Sequence, residues 1–277
     1  MPPDAARLTV VGSVNLDLVT RAERLPRPGE TLTDASFDRY PGGKGANQAV
    51  AAARLGAEVT FVGCVGDDAF ADEALAGLRE EQVDLRVETV DAPTGVASIL
   101  VDEAGENVIV VAPGANRSVR APHFEGDETV LCQLEIPVET VIGCAETAGS
   151  FWLNAAPAVP IPASLVERSD VVIANRYELE ELPTTPAVSV VTLGAEGAVL
   201  LEDGRETVRA RPPSVQAVDG TAAGDAFAAC LVVSRLKGRN WDEALRRSCA
   251  AGALAASRAG AQPSLPTAVE IDEILSA

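Results

Sequence analysis

Runs that read as strands and runs that read as helices take turns along this chain, and that alternation restricts its fold more than any other feature. "LTVVGSVNLDLV" is an apolar, β-rich run; "GANQAVAAARLG" consists of helix formers ended by a glycine. "AEVTFVGCVGDD" is again strand-like and "DAFADEALAGLREEQ" is an amphipathic helix. The order resumes in "ETVLCQLEIP", "VETVIGCAETAG", "SFWLNAAP", "DVVIANRYE" and "VSVVTLGAEGAVLL", and the chain closes in helix, from "GDAFAACLVVSRLKG" through "WDEALRRSCAAGALAASRAGA". Parallel strands need crossovers, and helices make them, so the pattern predicts an α/β fold with a mainly parallel sheet covered on both faces.

Two stretches break the alternation. "TGVASILVDEAGENVIVVAPGAN" reads as a hairpin, and with "ETLTDASFDRYPGG" it predicts a small antiparallel sheet, a lid drawn from about residues 13–43 and 94–114. No internal repeat and no low-complexity linker interrupts the chain, so residues 1–277 read as one domain carrying that lid.

Composition narrows the class of function. With 277 residues, 47 % of them hydrophobic, the chain buries a large core. A formal charge of −19 with dispersed basic residues argues against a nucleic-acid partner. No apolar run reaches the ~20 residues that span a bilayer, and "MPPDAARLTVVG" lacks the basic and apolar regions of a signal peptide, so a cytoplasmic protein with no membrane partner is expected. Cys64, Cys132, Cys144, Cys230 and Cys249 are odd in number, far apart and set in apolar runs, which predicts buried thiols rather than disulfides or a zinc site. The single histidine, His123 in "RAPHFEGDE", reads as a surface residue. Most Ser-His-Asp and Cys-His schemes are thereby removed, and a general base has to be a carboxylate.

Three polar groups fall near the carboxyl ends of expected strands, where open α/β sheets bind ligands. Asn15 and Asp17 in "GSVNLDL" offer amide donors and carboxylate acceptors, suited to a polyhydroxylated ligand or to a turn held by local Asx bonds. "YPGGKGANQA" sets Gly42, Gly43, Lys44, Gly45 and Asn47 before a helix, where glycines let a ligand reach backbone N–H groups. It is neither a Walker A loop nor GxGxxG. In "DGTAAGDAFAA", Ala222, Ala223 and Gly224 can line a nest of N–H groups at a helix start, with Asp225 in the first turn. From the motif alone Asp225 is as well suited to capping that helix as to taking a proton from an attacking hydroxyl.

Taken in order, "VVGSVNLDL", "RPGETL", "PGGKGANQAVAAARLGA", "VGDDAFA", "TGVASI", "GENVIVVAPGAN", "QLEIP", "LNAAPA", "VTLGAEGA", "DGTAAGDAFAA" and "GAQPSLP" resemble the PfkB carbohydrate kinase family over nearly the whole chain. The resemblance implies a three-layer α/β sandwich with a mainly parallel central sheet and a small antiparallel β-lid that often forms a homodimer interface. It implies phosphoryl transfer from ATP to a sugar, ribose above all. Asn15, Asp17, Gly43, Lys44, Asn47 and Glu135 would bind sugar, Asp225 would be the base, and Ala222, Ala223 and Gly224 the anion hole. Asn175 and Glu178 of "NRYE" would organise Mg2+ and its waters. Thr192, Gly194, Ala195, Glu196 and Gly197, with Gly224 and with Cys249 near adenine, would meet the nucleotide. Asp219, Thr221, Ala255, Arg258, Gly260 and Ser264 would hold a monovalent cation, K+.

Departures from the family pattern carry expectations too. The runs Asn116–Glu135 and Asn175–Thr192 are short, and about 12 residues between two parallel strands predict a crossover reduced to a bare loop. Gly220 and Ala222 stand where many relatives carry Thr and Gly, and Ala228 where asparagine is common. Kinases of deoxyribose, another sugar or a nucleoside are the neighbouring alternatives; a non-catalytic sugar-binding regulator is the alternative of a different class, and the missing GxGxxG disfavours a nicotinamide enzyme.

Overall fold

The computed structural model describes residues 6–103 and 106–277. β1 (Arg7–Val11) runs into β2 (Asn15–Arg21) and its antiparallel partner β3 (Ser36–Gly42), after which α1 (Lys44–Arg54) leads to β4 (Glu58–Gly66). α2 (Ala69–Ala74) and α3 (Ala76–Glu80) precede β5 (Asp84–Val90), and β6 (Gly95–Val101) and β7 (Asn107–Ala112) follow. Next come β8 (Thr129–Cys132), α4 (Val138–Thr147), β9 (Ser150–Asn154), α5 (Ala163–Arg168), β10 (Val171–Asn175) and α6 (Arg176–Glu180). The chain ends with β11 (Val188–Thr192), β12 (Ala198–Glu202), β13 (Arg205–Ala210), α7 (Ala223–Leu236), α8 (Trp241–Ala256) and α9 (Ala268–Ser276).

Nine strands form the central sheet in the order β13-β12-β11-β10-β9-β8-β1-β4-β5. All neighbours from β11 to β5 pair in parallel; β12 and β13 turn back antiparallel. The reversal after β11 needs a tight turn, and Gly194 (φ +58°) and Gly197 (φ +99°) supply its left-handed backbone. Successive side chains of a strand go to opposite faces. Val171 and Ile173 therefore join the core under α1, α7 and α8, while Val172 and Ala174 join the core under α4 and α5. Burial on both faces explains why the central strands read as unbroken apolar runs. It also explains α7, buried from Asp225 through Ser234 and built of small and apolar residues on every side.

The small sheet has the order β3-β2-β6-β7. Its outer pairs are antiparallel, but β2 and β6 pair in parallel from Asn15↔Gly95 to Arg21↔Val101. Both strands leave the carboxyl ends of parallel strands of the large sheet, β1 and β5, and so run the same way. Ala104 and Gly105, at the turn of the expected hairpin, lie outside the described residues.

Several expectations are corrected. The two edges of the central sheet, β5 ("DLRVETV") and β13 ("RETVRA"), are strands that the apolar pattern did not predict, because an edge strand is half solvated and charged. The short crossover between β10 and β11 is not a bare loop: it keeps the five-residue helix α6, closed at its start by a reciprocal capping box between Asn175 and Glu178. α2 and α3 divide at Leu75, yet the bonds Leu75 N–H to Ala71 and Arg79 N–H to Leu75 carry the helical ladder across. The five cysteines are free and buried, and His123 is exposed. Among the described residues no helix is long and apolar enough to cross a membrane.

Candidate active site

The carboxyl ends of β1, β8, β9 and β10 converge beside the first turns of α1 and α7, and the polar residues beyond these ends are interlocked. Asn15 and Asp17, on β2, are buried at 2 % and 6 % exposure. The Asn15 carbonyl accepts from Asn116 Nδ2 at 2.8 Å, and Asn116 is itself clamped to the backbone of Val14 through both halves of its amide. Asp17 fits because Gly42, which pairs with Asn15 across the β2/β3 ladder, has no side chain: a Cβ there would fall 2.3 Å from both carboxylate oxygens. Burial, with the nearby charges of Glu135 and Asp225, pushes the Asp17 carboxyl up to about 7.

α1 begins at Gly43, whose φ of +89° and whose closeness to Asn15 leave no space for a side chain. Its first amides have protein partners. Lys44 N–H donates to Glu135 Oε2 at 3.1 Å, Gly45 N–H donates to Ser13 Oγ at 3.3 Å, and the Ser13 hydroxyl donates to Glu135 Oε2 at 2.6 Å. The Lys44 ammonium lies in the field of Asp225 above all, then of Glu135 and Glu178; these hold its pKa above the ordinary lysine value against the effect of burial.

Asp225 sits at the centre. It is 5 % exposed and accepts from Asn47 Nδ2 at 3.0 Å on one oxygen and from Gln48 Nε2 at 2.9 Å on the other. The remaining polar atom of Asn47, Oδ1, is buried with no hydrogen-bond partner, an acceptor free for a ligand hydroxyl. Behind Asp225, α7 starts without a capping side chain from Ala222, in the left-handed region at φ +59°. A Cβ at Gly220 or Gly224 would meet nothing within 4 Å.

That uncapped end opens onto a cavity of about 690 Å³ lined by Thr192, Gly194, Ala195, Gly197, Ala223, Gly224 and Cys249, with Phe227, Gly252 and Pro212 among the apolar remainder. Burial pushes the Cys249 thiol up to about 12, so it acts there as a neutral packing group. Of the residues expected at the nucleotide, two stand apart from this wall. Glu196 is exposed and pairs with Arg176 at 2.9 Å, and Asn175 is occupied in capping α6. Glu178 faces Lys44 and Asp225 electrostatically, and burial raises its pKa.

Asp219 joins two loops. Its Oδ1 accepts from the amide and hydroxyl of Thr221 at 2.9 and 2.6 Å, and its Oδ2 accepts from Gly260 N–H at 3.0 Å, with the Arg21 guanidinium 4.0 Å away. Ala255 accepts from Arg258 N–H, the Arg258 side chain pairs with Glu270, and the Ser264 hydroxyl donates to Ala261. Ala228 is fully buried in the core.

A model of the pfkB family carbohydrate kinases matches residues 5–268. The chain belongs to the PfkB family of carbohydrate kinases. Among curated proteins it is 36 % identical to a ribokinase of Bacillus subtilis, over 97 % of this chain and 99 % of that one, and 37 % identical to a ribokinase of Haemophilus influenzae, over 97 % and 98 %. Among solved structures, a ribokinase from Thermotoga maritima aligns with a TM-score of 0.87 at 31 % identity, covering 98 % of this chain and 99 % of that one. The Arabidopsis thaliana ribokinase complexed with ribose and ATP aligns with a TM-score of 0.85 at 30 % identity, covering 99 % and 100 %. The nine-stranded sheet with its small second sheet is the architecture of these neighbours.

Motif reading passed over Ser13, Gln48, Asn116, Gln133 and Asn154, which fix the orientation of the residues it named. A faint signal existed: Gln48 is an amide followed on α1 by the small, apolar run from Ala49 to Ala53, and Gln133 and Asn154 are amides that end apolar strand runs. A buried amide must find partners, so each of these implies a second polar residue elsewhere.

Proposed function

We propose that this PfkB-family chain transfers the γ-phosphoryl group of ATP to the 5-hydroxyl of ribose, giving ribose 5-phosphate and ADP. The observation that carries the reading is the position of Asp225, between a buried set of hydroxyl-binding groups and the open end of α7 at the 690 Å³ cavity. Relatives at 36–37 % identity are ribokinases, and one structural neighbour is described with ribose and ATP.

In this reading Asn15, Asp17, Gly43, Lys44, Asn47 and Glu135 bind the sugar hydroxyls. Asp225 accepts the proton of the hydroxyl as its oxygen bonds to the γ-phosphorus and the bond to ADP breaks. Both carboxylate oxygens already accept an N–H, so the base is held in one orientation before the sugar arrives. The amides around Ala222, Ala223 and Gly224, at the positive end of α7, face the charge that spreads over the transferring group. Thr192, Gly194, Ala195, Gly197 and Cys249 receive the nucleotide, with Glu196 at the outer edge.

Mg2+ fits the residues present, although among the described residues no three His, Cys, Asp or Glu side chains form a ready metal cluster. Mg2+ prefers oxygen donors, few protein ligands, several waters and substrate phosphates. Glu178, with one oxygen engaged by Asn175 N–H and its charge facing Lys44 and Asp225, would hold it through water together with Asn175. Bound there, the ion neutralises phosphate charge. Asp219, Thr221, Ala255, Arg258, Gly260 and Ser264 offer hard oxygen donors suited to K+, although Arg21 already answers part of the Asp219 charge. We assign the protein to the cytoplasm and to a homodimer through the small sheet, whose outer strand β7 exposes Val108, Ile109, Val110 and Val111.

The test is a panel of ribose, deoxyribose, other sugars and nucleosides with ATP and Mg2+, with and without K+. Ribose should give the highest kcat/KM. A better substrate in the panel would replace ribose, and phosphorylation of none would favour the sugar-binding regulator.

A further inference from the structure

Gln48 lies one residue beyond the sugar-binding motif, is fully buried, and uses its whole amide. Its Nε2 donates to Asp225 Oδ1 at 2.9 Å and to Asn154 Oδ1 at 2.8 Å, while its Oε1 accepts from Gln133 Nε2 at 2.5 Å. Asn154 is anchored in turn, donating to the Ile173 carbonyl at 3.1 Å. Gln133 and Asn154 sit just beyond β8 and at the end of β9, so the relay fastens a residue at the start of α7 to the middle of the central sheet.

A buried glutamine on a core helix could serve packing alone, but this one is not simply satisfied. Of the acceptors within its reach it takes one oxygen of Asp225, and the neighbouring Asn47 takes the other. Two amides on adjacent residues of α1 therefore set both the in-plane position and the tilt of one carboxylate, whose own helix start has no capping side chain. Rotation of the Gln48 amide would present its oxygen to Asp225 and repel it; the Gln133 and Asn154 bonds forbid that rotation.

We propose that Gln48 is a positioning residue for phosphoryl transfer, with Gln133 and Asn154 locking its amide so that the Asp225 carboxylate is aimed at the incoming hydroxyl. This rests on the reading of Asp225 as the base. The other charged groups that face Asp225 are Lys44 from α1, Asp17 from β2 and Glu178 from α6, while Glu135 beyond β8 acts on Asp17 and Lys44. None of them hydrogen-bonds its oxygens, so the amides alone fix its direction.

The experiment compares Gln48→Leu, Gln48→Glu and Asp225→Asn in the full-length chain, measuring kcat and KM for ribose across pH. Gln48→Leu should lower kcat by about 10²-fold, the scale of a misaimed reacting group, with KM for ribose within about threefold of the parent. Gln48→Glu keeps the shape and the bond from Gln133 but sets a carboxyl group against Asp225, so the pair must share a proton. The acid limb of its kcat profile should therefore move up by more than about one pH unit, with activity returning at alkaline pH. Parent-like kcat and an unmoved pH profile in both variants, with Asp225→Asn inactive, overturns the proposal while leaving the base reading intact. Full activity in Asp225→Asn instead overturns the base reading and the proposal with it. If Gln48→Leu loses its cooperative melting transition, Gln48→Glu alone decides.

Discussion

Two helices begin at the active site, and they begin in opposite ways. The first turn of α1 is filled by the protein: Glu135 and Ser13 occupy its amides, and a left-handed glycine lets it press against the end of β1. The first turn of α7 has no capping side chain; the Ala223 N–H donates to the Gly220 carbonyl at 3.3 Å, and there is empty space around Gly220 and Gly224. A helix start carries a partial positive charge that something must answer. At α1 a fixed carboxylate does so, and in the proposed function that side is the cradle for a neutral, hydroxyl-rich substrate. At α7 the answer is deferred, which is what a site for transient phosphoryl charge requires.

Asp225 is the one residue that belongs to both helix starts, so its loss should have the largest effect. Asp225→Asn should lower kcat by at least ~10³-fold, since a general base contributes about that much, while ribose affinity by calorimetry stays within a few-fold. Loss of affinity in parallel with turnover would mean that Asp225 belongs to the closed side only.

The closed side should next reveal itself through pH. Asp17 titrates at about 7 when folded, against 3.8 for the free carboxyl, because burial and the charges of Glu135 and Asp225 disfavour its ionised form. The folded protein therefore binds the proton more tightly than the unfolded chain, and stability from this group is full below about pH 4 and lost as pH rises to about 7. The shift sets a ceiling of about 4 kcal/mol on that loss. Asp17→Asn should leave Tm unchanged near pH 4 and raise it by several degrees at pH 8. An equal change at both values would show that the charge is already balanced in the folded protein.

One substitution made at each helix start sharpens the contrast. In Gly45→Ala the new Cβ would lie 2.6 Å from Ser13 N and 2.7 Å from the backbone of Gly12, which cannot yield without moving α1 off β1. Such overpacking costs about 1–3 kcal/mol, which calorimetry would register as a Tm lower by several degrees. Gly224→Ala meets nothing within 4 Å and should leave Tm unchanged or slightly raised, while the methyl group at the cavity wall raises KM for ATP. Equal Tm losses would erase the distinction between a closed and an open end.

The unequal legibility of the sequence has the same root. Strands buried on both faces, such as β1 and β10, announce themselves as apolar runs, whereas the edges β5 and β13 wear charge on their exposed side and vanish into the surrounding polar text. Motif spacing singled out Asn15, Asp17, Lys44, Asn47 and Asp225; the fold draws the side chains of Asp17, Lys44, Asn47 and Asp225 into one buried electrostatic cluster, and holds Asn15 through Asn116. It did not single out Gln48, Gln133 or Asn154. Their meaning lies in pairings such as Gln48 with Asp225, 177 residues apart, and no local period encodes such a pairing. The parallel pairing of β2 with β6 escaped for a like reason: it follows from where the large sheet releases the two strands.

The smallest expected effect probes how the open end is kept open. Ala222 holds the left-handed backbone that starts α7, at φ +59°, while Gly220, two residues earlier, does not use the left-handed region at all. For an L-residue that conformation costs about 1–2 kcal/mol, and a glycine in its place would recover most of this, less the roughly 0.5–1 kcal/mol that glycine's freer unfolded chain takes back. Ala222→Gly should therefore raise Tm by a degree or two, a change within reach of calorimetry on a domain of this size. Ala222 is also partly buried against the core of α7, so the lost methyl contact works in the other direction. A lower Tm would mean that packing, rather than backbone conformation, fixes the start of α7; the open end would then be held from beneath by the same core that closes α1.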